Sequence, residues 1–322
     1  MKKPCYIGFD TSNYTTSAAL CREDGTVIAN LKRPLPVGKG ARGLRQSDAV
    51  FAHVKNLPDL CWELGTYVAD YTPGAVGVSS VPRDAEDSYM PCFLSGKAAA
   101  YAFASAVGVP VYEFSHQNGH IMAAAYASGK SEYLLSRPFY SFHVSGGTTE
   151  LLRVTSTEDG FSVCLIGETD DINAGQLIDR VGVAMGLSFP CGREMEKLAS
   201  EYDGAVLRRA VTVREGKCSL SGAENIAMRI YRESGDARAV AAFVFDFVAR
   251  TLVAMGKYAV EQYGNAPVLF AGGVMSNHVM REELGTHFEA YFADPAFSAD
   301  NAAGIALLCR RACMTEKQDE SK

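Results

Sequence analysis

Read as a pattern of apolar and polar positions, the chain draws one figure twice. "YIGFDTSNYTTSAAL" near the start and "FYSFHVSGGTTELLRV" near the middle each join two apolar, β-branched runs through a turn of small hydroxyl and glycine residues. Such runs bounded by such turns predict a strand–turn–strand hairpin at each place. About 135 residues separate the copies, which suits a duplicated two-lobed chain and equally suits two unrelated hairpins. "GTVIANLKRPL" extends the first hairpin with a third strand. "DAVFAHVKNLPDLCWELGTYV" has helical apolar spacing, "AVGVSS" a short buried strand, "SGKAAAYAFASAVG" a helix and "VPVYEFS" a strand. The second half predicts helices at "NAGQLIDRVGVAMGL" and "ARAVAAFVFDFVARTLVAMGKYAVEQYG", a buried strand at "APVLFAGG", a helix opening at "VMSNHVMREEL" and a last helix at "NAAGIALLCRRAC". Strands alternate with helices behind a hairpin in each half, so the class is α/β.

Composition narrows the picture. A chain of 322 residues, 48% hydrophobic and 21% charged, has room for two domains and a sizeable core. A net charge of −6 argues against nucleic-acid binding by bulk electrostatics, so any such contact needs a local patch or a partner subunit. The basic stretches Lys32–Arg45 and Arg208–Lys217 are candidates for phosphate contacts or, more blandly, solvated mixed-charge surface. Nine cysteines without a C-x-x-C pair suit a reducing compartment, so a cytoplasmic location is expected. "MKKPCYIGFDTS" runs straight into a strand and is not a signal peptide. No apolar stretch is expected to reach the roughly 18 residues of a membrane helix, and the tail "MTEKQDESK" is expected to fray.

Three groups of residues could carry chemistry. His116 and His120 stand four apart at the head of a small-residue helix, where two imidazoles share a face and can grip one metal ion. The alternative is two partly exposed histidines at a helix start. A zinc peptidase of the H-E-x-x-H kind is excluded, because its base position holds Gln117. Asp300 precedes the last helix as a third ligand or as a plain N-cap. "VSGGTTE" and "FAGGVMSN" each follow an apolar strand, and paired glycines there let a ligand approach backbone amides. Neither is a Walker A loop, since the G-K-[ST] ending is missing. "GETDDINAGQLIDR" opens a helix, with Asp170 and Asp171 as possible caps. Asp179 within it could accept ribose hydroxyls or pair with a cation.

In this order the pieces resemble the TsaD/glycoprotease-like family, the tRNA threonylcarbamoyladenosine synthases of the actin-like/sugar-kinase ATPase (ASKHA) superfamily. The likeness runs from "IGFDTS" to "DNAAGIA". The family's H-x-E-G-H stands as "HQNGH", V-S-G-G-H-T as "VSGGTT", D-D-A-x-G-E-x-x-D-K as "DDINAGQLIDR", Y-P-G-G as "FPCG", G-G-V-x-x-N as "GGVMSN" and T-D-N-A as "ADNAA". The resemblance implies a two-lobed fold with a duplicated mixed sheet and an interlobe cleft, the lobes being 1–136 and 137–322. It implies one divalent metal ion, iron or zinc, on His116, His120 and Asp300. An adenylate or ATP-type ligand would lie against Ser145, Gly146 and Gly147, with Asp10 from the first turn and Asp179 on the ribose. Gly192, Gly272, Gly273 and Asn277 would approach the same ligand. The implied reaction moves threonylcarbamoyl from threonylcarbamoyl-AMP to N6 of adenosine 37 of tRNA, with TsaB-like and TsaE-like protein partners and no membrane.

Departures from the family pattern gather at these same motifs. Tyr14 and Thr15 replace two acidic residues of the first turn, Asn118 replaces a glutamate, and Thr148 a histidine. Ile172 stands where an aspartate of the acidic pair is expected and Gln176 where a glutamate is. The V-P-E segment is absent near "GLRQSDA", and "VPRDAEDSYMP" replaces a glycine-rich turn. Each change removes charge or a proton carrier, so no catalytic acid or base is assigned. The pattern leaves open a catalytically altered nucleotide-binding paralogue, acting as a regulatory or scaffold subunit, and a carbamoyl-type transferase on another acceptor.

Overall fold

The computed structural model describes residues 2–12, 14–36, 44–158, 160–297 and 302–319. In chain order they form β1 (Lys3–Asp10), β2 (Thr15–Arg22), β3 (Val27–Pro34), α1 (Gln46–Val68), β4 (Tyr71–Val81), α2 (Phe93–Val107), β5 (Val111–Ser115) and α3 (His116–Ala127). Then come α4 (Ser131–Leu135), β6 (Phe139–Val144), β7 (Thr149–Ser156), β8 (Phe161–Glu168), α5 (Ala174–Ala184) and α6 (Gly192–Ser200). They are followed by β9 (Val213–Arg214), β10 (Lys217–Cys218), α7 (Ser221–Ser234), α8 (Ala237–Tyr263), β11 (Val268–Ala271), α9 (His278–His287), β12 (Ala290–Phe292) and α10 (Ala303–Asp319). The chain divides into two compact units, Met1–Ser131 with Ser156–Ser162 and Phe297–Lys322, and Glu132–Thr155 with Val163–Ala296.

In the first unit the sheet order is β3-β2-β1-β4-β5. β1, β2 and β3 form an antiparallel meander, and β4 and β5 add in parallel. β1 is buried along nearly its whole length because both of its faces are covered. Cys5, Ile7 and Phe9 point to a core shared with Leu57, Leu60 and Leu64 of α1 and Ala100 and Ala104 of α2. On the other face Gly8 and Gly77 admit α10 so closely that a Cβ on either would clash with Ala306 or Cys309. α10 thus belongs to this unit, whereas the sequence reading assigned all of 137–322 to the other lobe. Its small residues pack closely against β1, β4 and α3. Gly304 lies so near the Gly119 carbonyl that a side chain there would overlap it, and this contact seats α3, the histidine helix.

The second unit repeats the plan, with sheet order β12-β11-β6-β7-β8. β6 and β7 pair antiparallel, and β11 and β12 add in parallel. β6 to β8, β11 and β12 thus occupy the places of β1 to β5, and the duplication suggested by the hairpins is a property of the fold. Its core gathers Phe142 and Phe270, stacked at 5.1 Å, with Phe243, Val244 and Leu252 of α8. α8 is 27 residues long, and its most apolar window, of mean hydropathy 1.7, reaches a length the sequence reading had not expected of any segment. That window is 72% buried inside the protein, as a core helix requires. Asp236 starts α8 by accepting the Arg238 N–H at 2.9 Å.

Candidate functional site

In the first unit the chemistry centres on the start of α3. Strand β5 delivers Ser115 as N-cap, whose Oγ accepts the Asn118 N–H at 3.2 Å. The helix then places His116 and His120 one turn apart, ring centroids 4.3 Å from each other and nearly perpendicular. His116 Nδ1 lies 2.6 Å from Asp10 Oδ2, and Asp10, fully buried at the end of β1, accepts the Ser12 N–H on its other oxygen at 2.8 Å. Asp10 was expected among nucleotide contacts, and the structure places it against the histidines. A carboxylate on Nδ1 fixes the ring and raises the basicity of Nε2, the arrangement that supports imidazole as a metal ligand. Two imidazoles and an orienting carboxylate suit part of a divalent donor set. Asp300, the expected third ligand, lies outside the described residues, as do residues 37–43 of the first basic stretch. Among the described residues no group of three or more His, Cys, Asp or Glu is arranged to hold a metal.

Two residues near this helix escaped the sequence reading. His53, fully buried on α1, has Nδ1 2.8 Å from Thr16 Oγ1, and Asn56 donates to the same hydroxyl. Burial pushes the His53 pKa below its ordinary value, against the pull of the Asp10 carboxylate. Asp84 comes from the segment that departs from the family pattern, and its Oδ2 accepts both Ser115 Oγ at 2.8 Å and Asn118 Nδ2 at 2.7 Å. A carboxylate absent at position 118 is therefore supplied beside it by position 84. No periodicity or spacing could have joined these two residues.

In the second unit the paired glycines converge on one cavity. Gly146, Asp179, Gly192, Gly273 and Asn277 line a space of about 450 Å³, together with Arg193, Glu196, Ser276 and an apolar wall of Ile178, Pro190, Phe245, Val274 and Pro295. Ser145 Oγ accepts the Gly147 and Thr148 N–H groups, closing the turn after β6. Gly175 at the head of α5 presses on that turn, since a Cβ there would lie 2.7 Å from the Gly146 nitrogen. Gly272, at φ +100°, abuts the Val144 carbonyl, so the turn after β11 sits beside the turn after β6. Ser145, Gly147 and Gly272 shape these turns, while their neighbours Gly146 and Gly273 line the cavity.

The polar groups of the cavity are partly committed. One Asp179 oxygen accepts the Cys191 N–H at 2.8 Å, fixing the loop that carries Gly192. Glu196 accepts the His278 N–H at 2.7 Å. Asn277 Oδ1 caps α9 by accepting the Met280 N–H at 2.9 Å, but its Nδ2 has no partner although the residue is only 5% exposed. A buried amide donor without an acceptor costs about 1–3 kcal/mol unless something fills the role.

Other predicted positions have local duties. Asp171 accepts from the Leu220 and Ser221 backbones and from Ser221 Oγ, securing the start of α7. Despite the opposing effect of its burial, these bonds hold its pKa at about 2. Gln176 accepts the Asn173 N–H at 3.0 Å, and Ile172 is buried in the core. In the second basic stretch Arg208 pairs with Asp246, and Lys217 with Glu168 and Asp170, so those two cations are not free for phosphate.

The family described as tRNA N6-adenosine threonylcarbamoyltransferase matches residues 89–307. Proteins of that name from Streptococcus suis (strain 05ZYH33) and Streptococcus pyogenes serotype M18 (strain MGAS8232) are similar at 30% identity over 318 residues and 29% over 324. Those matches span 95% and 94% of this chain and 92% and 88% of theirs. Among solved structures, the activator of the 2-hydroxyisocaproyl-CoA dehydratase from Clostridium difficile with bound ADPNP superposes with TM-score 0.54 at 13% identity, covering 99% of this chain and 98% of that one. Full-length HypF in the phosphate- and nucleotide-bound form gives 0.60 at 12%, covering 98% and 56%. A ROK family glucokinase from Streptomyces griseus in complex with glucose and AMPPNP gives 0.53 at 13%, covering 95% and 99%. At such identities the likeness is one of fold, and the fold is the actin-like/sugar-kinase architecture expected from the sequence.

Proposed function

This chain belongs to the tRNA N6-adenosine threonylcarbamoyltransferase family, and from that premise we propose that it transfers the threonylcarbamoyl group of threonylcarbamoyl-AMP to N6 of adenosine 37 of tRNA. The observation that carries this reading is the convergence of Gly146, Asp179, Gly192, Gly273 and Asn277 on one cavity that holds an unpaired buried amide donor. The apolar wall suits a purine, and the exposed amides of the glycine turns suit a phosphate. The free oxygen of Asp179 accepts a ribose hydroxyl, and Asn277 Nδ2 donates to the nucleotide. Holding the adenylate in this way positions the leaving group of an acyl transfer. The adenosine amine forms the new C–N bond and releases a proton to solvent, the carbonyl–phosphate C–O bond breaks, and AMP departs with that electron pair.

His116, His120 and Asp300 would hold a divalent iron or zinc ion, with Asp10 orienting His116. Such an ion would polarise a substrate oxygen and stabilise developing negative charge. TsaB-like and TsaE-like proteins are the partners this reading brings with it, and a cytoplasmic setting suits it.

The test is reaction of the protein with threonylcarbamoyl-AMP and unmodified tRNA, in the presence of those partners, read by mass spectrometry of the nucleosides. Threonylcarbamoyladenosine supports the reading, and its absence overturns it. Metal analysis of the wild type, His116→Ala and Asp300→Ala accompanies it, with a stoichiometric ion expected in the wild type alone. The replaced acidic positions favour one second reading, a nucleotide-binding subunit without turnover. Tight AMP binding with no product identifies that case.

A further inference from the structure

The second unit has another cavity, at the end of its sheet opposite the glycine turns. Strand β6 runs from one to the other, and its six residues put about 20 Å between them. The start of β6, the end of β7 and the loop from α8 into β11 enclose about 410 Å³, with Arg137, Arg153, Tyr133, Tyr263, Asn265 and Glu289 in the wall. Arg153 stands directly across the β6–β7 pair from Tyr140, so the two share the face of the sheet that α8 covers. Both arginines are exposed, and neither carries an ion pair among the described residues. Each rests on an aromatic ring instead. Arg137 Cζ lies 3.9 Å from the centre of the Tyr133 ring, and Arg153 Cζ 5.3 Å from that of Tyr263. Stacking steadies a guanidinium by its face and leaves its N–H edge able to donate. Of the Arg137 edge only Nε is engaged, by Ser136 Oγ at 3.3 Å.

The groups that oppose an anion here are already engaged. Glu289 accepts the Tyr291 hydroxyl at 2.7 Å, and hydrogen bonds from Tyr133 and then Tyr291 hold its pKa below the ordinary carboxylate value. The last carbonyls of α8 carry the negative end of the helix dipole, and there the Tyr140 hydroxyl donates to Gly264 at 2.6 Å. Two cations and one committed carboxylate leave the cavity with an excess positive charge, in a chain whose net charge is −6. The two oxygens of a carboxylate saturate one guanidinium fork, whereas the three oxygens of a phosphate ester can serve two. A space of about 410 Å³ holds more than a bare ion and suits a nucleotide-sized group. Asn265 adds an amide for its sugar or base. Local positive charge of this kind is what the acidic composition requires of any phosphate contact. Arg208 and Lys217 of the second basic stretch cannot supply it, since both are paired.

We propose that this cavity binds a phosphate ester, with Arg137 and Arg153 as its ligands, the ester being a free nucleotide or one residue of a single-stranded RNA. The inference is independent of the transfer reaction and uses no residue assigned to it.

Calorimetric titration of the full chain with UMP and with heptauridylate tests it, together with protection of arginines from phenylglyoxal read by peptide mass spectrometry. Both probes are expected to bind and to shield Arg137 and Arg153. Arg137→Gln and Arg153→Gln each weaken binding at least about 10-fold, the factor for loss of charge-assisted hydrogen bonds. Arg153→Lys recovers only part of that loss, because it restores the charge without the fork. The substituted positions are exposed, so circular dichroism and thermal midpoints stay those of the wild type. Heptauridylate binding tighter than UMP, with a salt slope that falls by about 0.7 for each arginine removed, identifies RNA as the source. Equal affinity for the two probes identifies a free phosphate ester. Failure of both probes to bind overturns the proposal. So does binding that the double variant Arg137→Gln, Arg153→Gln leaves unchanged, or binding lost in Asn277→Ser and kept in the arginine variants, which places the probe in the cavity of the glycine turns.

Discussion

Replacing Asn277 separates two tasks that one side chain performs. Its Oδ1 caps α9, and its Nδ2 is buried without a partner in a side chain that lines the cavity. Serine caps a helix about as well as asparagine and lacks the amide donor, whereas alanine lacks both. Loss of the cap costs about 1 kcal/mol, or about 2–4 °C in thermal midpoint for a unit of this size. Loss of the donor costs no folding energy, because in the free protein that donor is unmet. It removes one ligand hydrogen bond instead, about 0.5–1.5 kcal/mol to a neutral oxygen and about 1.5–3 kcal/mol to a charged one. Asn277→Ser is thus expected to melt within about 1 °C of the wild type while binding AMP about 3- to 10-fold more weakly, or more if the acceptor is a phosphate oxygen. Asn277→Ala shows the same loss of affinity together with the lower midpoint. Asn277→Asp keeps the cap and binds AMP most weakly of the three, since it sets a carboxylate against an anionic ligand. Calorimetric titration with AMP and thermal melts of the four proteins decide the matter. A serine variant that binds AMP as well as the wild type refutes the reasoning, because the orphan donor then has no ligand to serve.

Three further outcomes follow from the geometry. Gly175→Ala puts a methyl group 2.7 Å from the Gly146 nitrogen, so the turn after β6 must shift. AMP affinity is expected to fall at least about 10-fold, with a stability loss of about 1–3 kcal/mol by chemical denaturation. His53 is harder to protonate folded than unfolded, so its contribution to stability is full above its unfolded pKa and declines as pH falls below about 6.5. The urea midpoint of the wild type should therefore drop between about pH 7.5 and 5.5 more steeply than that of His53→Asn, whose amide can still meet Thr16. Asp171, held at about 2 from an ordinary 3.8, contributes stability that is present above its ordinary value and lost as pH falls through about 2. Asp171→Ala removes the acceptor at the start of α7 and should cost about 1–2 kcal/mol at neutral pH, with a flatter acid-unfolding curve.

What the sequence made legible is what local pattern controls. The two hairpins, the apolar strand ending in "FAGG" and the long helix α8 are written in alternation, glycine and periodicity, and they appear where expected. β8 escaped because exposed Ser162, Leu165 and Cys164 blur its alternation, and β12 because it is only three residues long. α6 and α7 escaped because their apolar stripes are narrow, with Met195 and Ala199 the only buried residues of one and Ala223 and Ala227 of the other. The assignment of α10 depended on knowing that Gly8 and Gly77 lie one strand apart, which pairing reveals and order along the chain does not. The cavity follows the same rule. Its glycines and Asn277 announce themselves through the turns that follow strands, whereas Arg193, Glu196 and Pro295 line it only by tertiary placement. Asp10 was legible as a candidate site residue, but its partner, His116, is 106 residues away.

The departures from the family pattern acquire a common physical sense once placed. Gln176 closes the cap of α5 with an amide oxygen, Thr148 completes the Ser145 turn with its backbone, and Ile172 joins the core. None of these positions has lost its structural duty; each performs it without a titratable group. Position 118 differs, because its amide is held by Asp84, so a negative charge remains at the start of α3 but arrives from a different loop. An anion at that helix terminus favours the positive end of the helix dipole and, through Ser115, steadies the residue before His116. A carboxylate therefore lies beside the start of the histidine helix, hydrogen-bonded to the residue at 118. On the proposed reading, the substitutions would act on proton handling more than on the framework that would seat a ligand. Ligand affinity and turnover should consequently respond to them separately, affinity surviving in full where turnover is slowed or redirected.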